Sequence, residues 1–589
     1  MFPRSIPRPS ALLQSPDATR YLAYALLTLF TLIGWLLRAY GTQASLWVDE
    51  LHTSWVVAGN LGQLPDRAAL GNNHASYFYL PWLSTQVFGM QEWPLRLPSL
   101  LAGTALIPLT YVVTQGWSQT RLAALLGAGL ATLDPWCVVF AQEARVYSVV
   151  QFVALLQILT LWQVIRRPSW QRRLALILVS IMLCYLHFTS GLLLLAEFVV
   201  FVAIRFWCSR PLIYTHRQLA CDALLVLFGT SPTWPLLSDV WSRRTQWELF
   251  VQAPTSAQIV SLFPLELYVL APLVLAGLGA AWCALAQRPN GGPQIRFGVW
   301  LFVSAWFVVP MAAAALLAWA DVARVFHARY LISVALAPIL FAALLCATCD
   351  RALRAAFASI MLLASLFTYG PIGQIRREGS LICHRREDWR GAIEWIRERG
   401  QPGDPLLFRS GLIEADNLNR LTDPRFAEYC QFPLSSIYPI DNLSLNVIIL
   451  PTSNTAHALD GRLSNLSAQH QILLLIRGPE RYAERLIRDA HRTHTEKGRL
   501  EQEHFAGVTA ARITHRQPER LPGDSLRSLP DPIQGGADSL PETRRLVPPP
   551  TPGRWENDWL LVRIIHALST AQRKAGKGVA EATPSPLSQ

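Results

Sequence analysis

A succession of apolar runs, each about 15–24 residues long, fills the sequence up to residue 370, and most are long enough as helices to cross the roughly 30 Å hydrocarbon core of a bilayer. Composition agrees. Hydrophobic residues make up 51% of the chain and charged residues only 16%, against about 25% charged in an ordinary soluble domain. The sequence therefore predicts an integral membrane protein.

The basic residues indicate its orientation. A net charge of +12 would suit a nucleic-acid-binding surface, but the cations sit in short loops between apolar runs. Arg4, Arg8 and Arg20 precede the first run, and Arg121, Arg166–Arg167, Arg172–Arg173, Arg210, Arg217, Arg288, Arg296, Arg351 and Arg354 occupy alternate loops beyond it. Such an excess marks the cytosolic side. It reports orientation against anionic lipid, and no nucleic-acid partner is expected. Spans then fall near 21–40, 96–115, 122–140, 147–165, 174–188, 190–207, 219–237, 264–286, 297–320, 330–348 and 355–371, eleven in all, with the N-terminus cytosolic and the C-terminal region extracytoplasmic. Ala75–Met90 becomes a twelfth crossing only by moving Glu143 inside and Arg166–Arg173 outside, which the charge rule opposes. Segment 41–95 is read instead as a long outer loop of helices lying along the interface, its Trp47, Trp55, Tyr77, Tyr79, Trp82 and Trp93 suited to an aromatic belt.

After Gly370 the composition shifts. Residues 372–515 read as a small soluble α/β domain, with helices at Asp388–Arg399 and Glu480–His491 and strands at Pro405–Arg409, Asn446–Leu450, Gln471–Ile476 and Thr509–Thr514. Short apolar runs alternating with helical patterns favour a parallel sheet. Residues 516–589 are Pro-, Arg- and Ser-rich at first and read as disordered, with one candidate amphipathic helix at Trp559–Leu568. The expected fold class is an α-helical polytopic membrane protein of about eleven transmembrane helices, with an interfacial-helix first outer loop and a C-terminal α/β domain.

Nine cysteines show no metal-ligand framework. Cys346 and Cys349 have redox spacing but end an apolar helix, where small buried core residues are the plainer reading. Cys383 and Cys430 fall on the expected oxidising side, where a disulfide between them is open. There is no phosphate-binding glycine loop and no zinc-ligand spacing. No cofactor is expected, although a divalent metal bridging Asp49 and Glu143 is conceivable.

The residues able to carry chemistry gather on the outer side. Asp49 and Glu50 follow the first span between Trp47 and Trp55. A partly desolvated carboxylate there gains basicity and can deprotonate a hydroxyl or amine, while a solvated loop acid or helix cap is the competing reading. His74 precedes an aromatic helix and can bind a phosphate or a sugar, or simply cap and pack. Gln142, Glu143, Arg145 and Tyr147 crowd the break between two apolar runs. The guanidinium fork of Arg145 matches phosphate oxygens, or pairs internally with Glu143. Arg324, His327 and Arg329 lie at the outer mouth of the tenth span, where Arg329 either meets a lipid head group or snorkels as an anchor. Arg243 and Arg244 form a similar outer group.

Leu46-Trp47-Val48-Asp49-Glu50, Asn73-His74, Leu95-Arg96-Leu97-Pro98-Ser99, Gln142-Glu143-Ala144-Arg145-Val146-Tyr147 and Ala328-Arg329-Tyr330-Leu331 occur in that order. Together they resemble the C-type glycosyltransferase superfamily, in the branch of protein O-mannosyltransferases and bacterial aminoarabinose and related lipid-linked sugar transferases. The resemblance covers about residues 1–371. It implies a bacterial inner-membrane enzyme that transfers a sugar from a polyprenyl phosphate to a lipid, glycan or protein acceptor by a single inverting displacement. By the same resemblance Asp49 is the base, Arg145 and Arg329 contact the phosphate, and Glu50, His74, Glu143 and Tyr147 belong to the substrate site. Two departures stand out: His74-Ala75-Ser76-Tyr77 replaces the His-Pro-Pro-Leu of many relatives, and Val146 replaces Pro or Met. Glu387-Asp388-Trp389-Arg390-Gly391-Ala392 resembles the start of the C-terminal domain in some bacterial relatives. A transporter or flippase of lipid-linked sugars is the alternative, but its charges would gather near the midplane between internal repeats. No repeat is evident here, and these charges lie at one surface.

Overall fold

The computed structural model describes residues 16–207, 214–242, 244, 251–287, 293–381, 387–418, 423–440, 443–466, 471–494 and 498–514. The expected tail, its candidate helix, Arg243 and Cys383 lie outside them. The described residues group into two compact units, one up to residue 381 and one from Glu387 to Thr514, with Ser435–Ile437 grouped in the first.

The first unit is helical. Among the described residues, seven helices are long and apolar enough to cross a membrane: Thr19–Ala39, Glu92–Ser118, Tyr147–Arg166, His216–Ser242, Glu266–Leu285, Phe297–Trp319 and Arg351–Glu378. Shorter apolar helices run over Arg121–Leu133, Phe188–Ile204 and Ile332–Thr348. The remaining expected span falls on Trp170–Leu186, which carries Arg172 and Arg173 in its first turn. Pro98, Pro108 and Pro310 sit inside helices, as neighbouring membrane helices permit. Leu22, Leu29, Leu32 and Leu36 leave a broad apolar face of the first helix exposed, which suits lipid rather than water. By contrast, 67% of the apolar window of Tyr147–Arg166 is buried inside the protein, so that helix is central.

Polar side chains inside the unit tie helices together where no water can satisfy the backbone. Arg38, fully buried, donates to the carbonyls of Ala131, Thr132 and Gly34. Gln142 donates to Leu37 and Tyr40 at 2.8 and 3.0 Å. Asp134 caps the short Pro135–Val139 helix by accepting from the Cys137 amide at 2.8 Å. At Gly103 the Glu92–Ser118 helix meets the 141–148 segment so closely that an added Cβ would lie 2.5 Å from that of Ala141. The first long loop, 41–95, folds as the helices Val48–Val57, Leu64–Leu70 and Tyr79–Phe88. The last is 10 residues long, about 15 Å and too short to span.

The second unit is a five-stranded sheet, β1 (Pro405–Arg409), β2 (Asn446–Ile449), β3 (Gln471–Arg477), β4 (Arg499–Phe505) and β5 (Val508–Thr514), in the order β2-β1-β3-β5-β4. β1 pairs in parallel with β2 and β3, with Leu407 opposite Leu474. Ile472–Ile476 of β3 are fully buried, and Leu474 packs with Leu463, Leu486 and Ile487 from the helices Thr455–Asn465 and Glu480–His494. The parallel expectation holds for only part of the sheet, because β5 runs antiparallel to both β3 and β4. β4 was invisible in the sequence. As a partly exposed edge it reads Arg-Leu-Glu-Gln-Glu-His-Phe, too polar to register as a buried run. Only Ala506 and Gly507 separate it from β5, and Gly507 takes φ +69°, which a two-residue hairpin turn favours. Cys346 and Cys349 are buried thiols that each donate to a backbone carbonyl, and Cys430 is likewise a buried free thiol. Leu474→Ala removes packing from the middle of the sheet and should destabilise this unit by about 2–5 kcal/mol. Urea-dependent proteolysis of the full chain would read this as a lower midpoint; an unchanged midpoint would contradict a core centred on β3.

Candidate active site

Asp49 and Glu50 are consecutive in the Val48–Val57 helix, and a helix turns about 100° per residue, so the two carboxylates leave it in different directions. Glu50 turns inward. It is fully buried and forms a two-pronged ion pair with Arg96, Nε to Oε1 at 2.7 Å and Nη2 to Oε2 at 2.6 Å. Arg96 also donates to the carbonyls of Thr42, Ala44 and Ser45. Glu50 accepts the Ala144 amide at 2.6 Å and the Trp47 amide at 3.4 Å. One buried pair thus fastens the entry to the first loop, the start of the Glu92–Ser118 helix and the 141–147 segment.

That segment is held on all sides. Thr53 donates to the Ala144 carbonyl and Ser99 to the Arg145 carbonyl, both at 2.8 Å, and Tyr77 shares a 3.1 Å hydrogen bond with Ser99. The backbone that carries Arg145 is therefore set from the first loop and from the Glu92–Ser118 helix together.

Asp49 turns outward. Its Oδ2 lies 2.7 Å from Nη1 of Arg329, and its backbone carbonyl accepts from Arg145 Nη1 at 3.1 Å. Arg329 lies over the Trp47 ring at 5.7 Å and Arg145 over the Tyr147 ring at 6.0 Å. The Nε atom of each guanidinium is buried without a hydrogen-bond partner. Burial disfavours charge on both arginines, yet neighbouring Tyr147 and Asp49 outweigh it and hold both pKa values above the usual guanidinium range. Glu143 is buried, and its charge acts on Arg329 and Tyr77. Two guanidiniums beside one partly exposed carboxylate can bind a phosphate and still leave a base at its edge.

The other expected residues lie further out. His74 packs edge-on against Tyr185 at 4.4 Å, and its Nδ1 accepts the Ser76 amide at 3.3 Å. Burial lowers its pKa, so the ring is neutral and suited to hydrogen bonding rather than to charge. His327 accepts the Arg329 amide through Nδ1 at 3.2 Å and so shapes the turn that presents that guanidinium. Arg324 pairs with Asp321, and Arg244 stacks on Trp241; both bonds are local. His52 is buried one turn from Asp49, and its pKa falls to about 3 through burial and the charge of Arg145. Sequence reasoning gave no role to Arg96 or to His187, whose ring lies 6.1 Å from Tyr147 and 5.8 Å from Tyr330. Arg96 could have been found as a charged residue inside an apolar helix, which demands a partner.

One further group can hold a metal. In the α/β unit the ligand atoms of Glu480, Glu484 and His504 lie within 4.8 Å of one another. His504 Nε2 is 3.4 Å from Glu484, and its Nδ1 is hydrogen-bonded to Thr509. Direct ion pairing of a protonated His504 uses the same atoms.

No protein-family model matches the chain, and no curated protein matches it. Among solved structures, ArnT from Cupriavidus metallidurans bound to undecaprenyl phosphate is similar over 84% of this chain and 98% of its own, at 13% identity and a TM-score of 0.49. The same protein in the apo state covers the same shares at 13% identity and a TM-score of 0.47. These likenesses concern the path of the chain and assign no role to any residue.

Glu50→Gln or Arg96→Met alone should destabilise the protein by about 3–5 kcal/mol, because each strands a buried partner, while the double variant should cost less than either. Thermal unfolding of the purified protein in detergent measures this. Additive losses would show that the pair does not act as a unit.

Proposed function

We propose that this chain is an integral membrane glycosyltransferase. It takes a sugar from a polyprenyl-phosphate donor and passes it to a hydroxyl or amine acceptor on a lipid, glycan or protein at the outer face of the membrane. The observation that carries the reading is the meeting of Asp49 with Arg145 and Arg329 beside membrane-crossing helices. A carboxylate flanked by two guanidiniums suits a reaction in which one group loses a proton while a phosphate leaves.

The sugar phosphate lies with its phosphate oxygens on Arg145 and Arg329. As Arg329 turns to the phosphate, Asp49 loses part of its cationic partner and gains basicity. The acceptor oxygen or nitrogen attacks the anomeric carbon from the face opposite the phosphate. Its proton passes to Asp49, the new glycosidic bond forms, and the bond from the anomeric carbon to the phosphate oxygen breaks. The bond electrons leave with polyprenyl phosphate, whose growing charge the two arginines neutralise. Glu50 and Arg96 position the base. Glu143, Tyr147 and His74 line the substrate side, and no metal enters these steps.

Transfer of labelled sugar from a panel of polyprenyl-phosphate donors, measured in proteoliposomes, tests the reading. Asp49→Asn should lower turnover by about 10²–10⁴-fold with donor binding retained; turnover like that of wild type would remove Asp49 as the base. Arg145→Ala should weaken donor binding by roughly 1.5–3 kcal/mol, the worth of a charged hydrogen bond. An unchanged affinity for polyprenyl phosphate would contradict its place on the phosphate.

A further inference from the structure

His187 lies just beyond the Trp170–Leu186 helix, in extended backbone with φ −157° and ψ 122°, and belongs to none of the motifs above. Its state follows from one proton. The hydroxyl of Thr189 lies 2.5 Å from the carbonyl oxygen of Tyr330, which can only accept, so the hydroxyl proton is committed there. The same Thr189 oxygen lies 2.7 Å from Nδ1 of His187. With its proton spent, that oxygen must accept, and Nδ1 must carry the hydrogen. Burial opposes a charge on this ring, and so do the neighbouring charges of Arg145 and Arg329. The ring is therefore neutral, and its Nε2 carries a lone pair. Among the described residues Nε2 has no hydrogen-bond partner.

A lone pair beside two guanidiniums constrains what can meet it. Phosphate oxygens have no hydrogen to offer and repel it; they belong to the arginines. A hydroxyl group satisfies it. The ring lies 6.1 Å from Tyr147, which Arg145 overlies, and 5.8 Å from Tyr330, the residue after Arg329. It thus borders the phosphate position, where the sugar of a sugar phosphate begins. We propose that Nε2 of His187 accepts a hydrogen bond from a hydroxyl of the donor sugar, making His187 a residue that selects the sugar and Thr189 the residue that sets its tautomer. This assignment rests on the glycosyltransferase reading.

Two measurements test it. The first is the ¹⁵N spectrum of the full chain in nanodiscs with labelled histidine, the His187 signal being the one lost in His187→Gln. It should show a protonated Nδ1 and an unprotonated Nε2, a state that Thr189→Ser keeps and Thr189→Val loses. The opposite tautomer in wild type would overturn the proposal. The second is binding of undecaprenyl phosphate with and without an attached sugar, over a panel of hexoses and pentoses. His187→Leu should weaken binding of the best sugar-bearing donor about tenfold and leave the bare lipid phosphate unchanged, with His187→Gln, which keeps an acceptor at similar reach, recovering most of the loss. Equal loss for both ligands, or for neither, would overturn the role of His187. If wild type bound no lipid phosphate at all, the glycosyltransferase reading would fail, and the role of His187 with it, whatever the spectrum showed.

Discussion

The whole cluster around Asp49 hangs on the buried ion pair of Glu50 and Arg96. Two charges removed from water are unfavourable by themselves and are tolerated only when their geometry is good and their remaining donors and acceptors are used. Here they are used on the backbone. Arg96 holds three carbonyls of the entry to the first loop, and Glu50 holds the amides of Trp47 and Ala144. The pair contributes registry: it makes the spacing between Asp49 and Arg145 a property of the interior and not of two loops that happen to meet.

With that registry in place, the cluster of Asp49, Arg145 and Arg329 balances competing demands. Asp49 must stay charged and reachable, and the two arginines must stay cationic though largely buried. Mutual proximity meets both needs: the Asp49–Arg329 ion pair offsets the desolvation of its members, and the charge of Asp49 also favours the cation of Arg145. The aromatic faces of Trp47 and Tyr147 add cation–π contact.

Much of this was legible in the sequence, and the reasons differ from place to place. The expected spans fall on helical residues, that of 122–140 broken at Asp134, because a long apolar run has few alternatives in lipid. Asp49, Arg145 and Arg329 could be singled out because charge beside a span is conspicuous. The different fates of Asp49 and Glu50 could not be read, because adjacent letters say nothing about which face of a helix meets the interior. Arg96 stood in a quoted motif without a role, since its partner lies 46 positions away. His187 and Thr189 carry no signal at all: their meaning comes from the Tyr330 carbonyl, a backbone atom that every sequence has. β4 escaped for the converse reason, an edge strand whose polar side chains resemble a loop.

The central burial of the Tyr147–Arg166 helix bears on how such a site lives in a changing membrane. The 141–147 segment leads directly into that helix, while the first helix and Glu266–Leu285 present most of their length outward. Bilayers that thicken or thin strain the helices that touch lipid, which answer by tilting. The interior helix has few lipid contacts through which to feel that strain. The cluster of Asp49, Arg145 and Arg329 is thus insulated mechanically from the lipid around the protein, and shifts in lipid composition are absorbed at the rim.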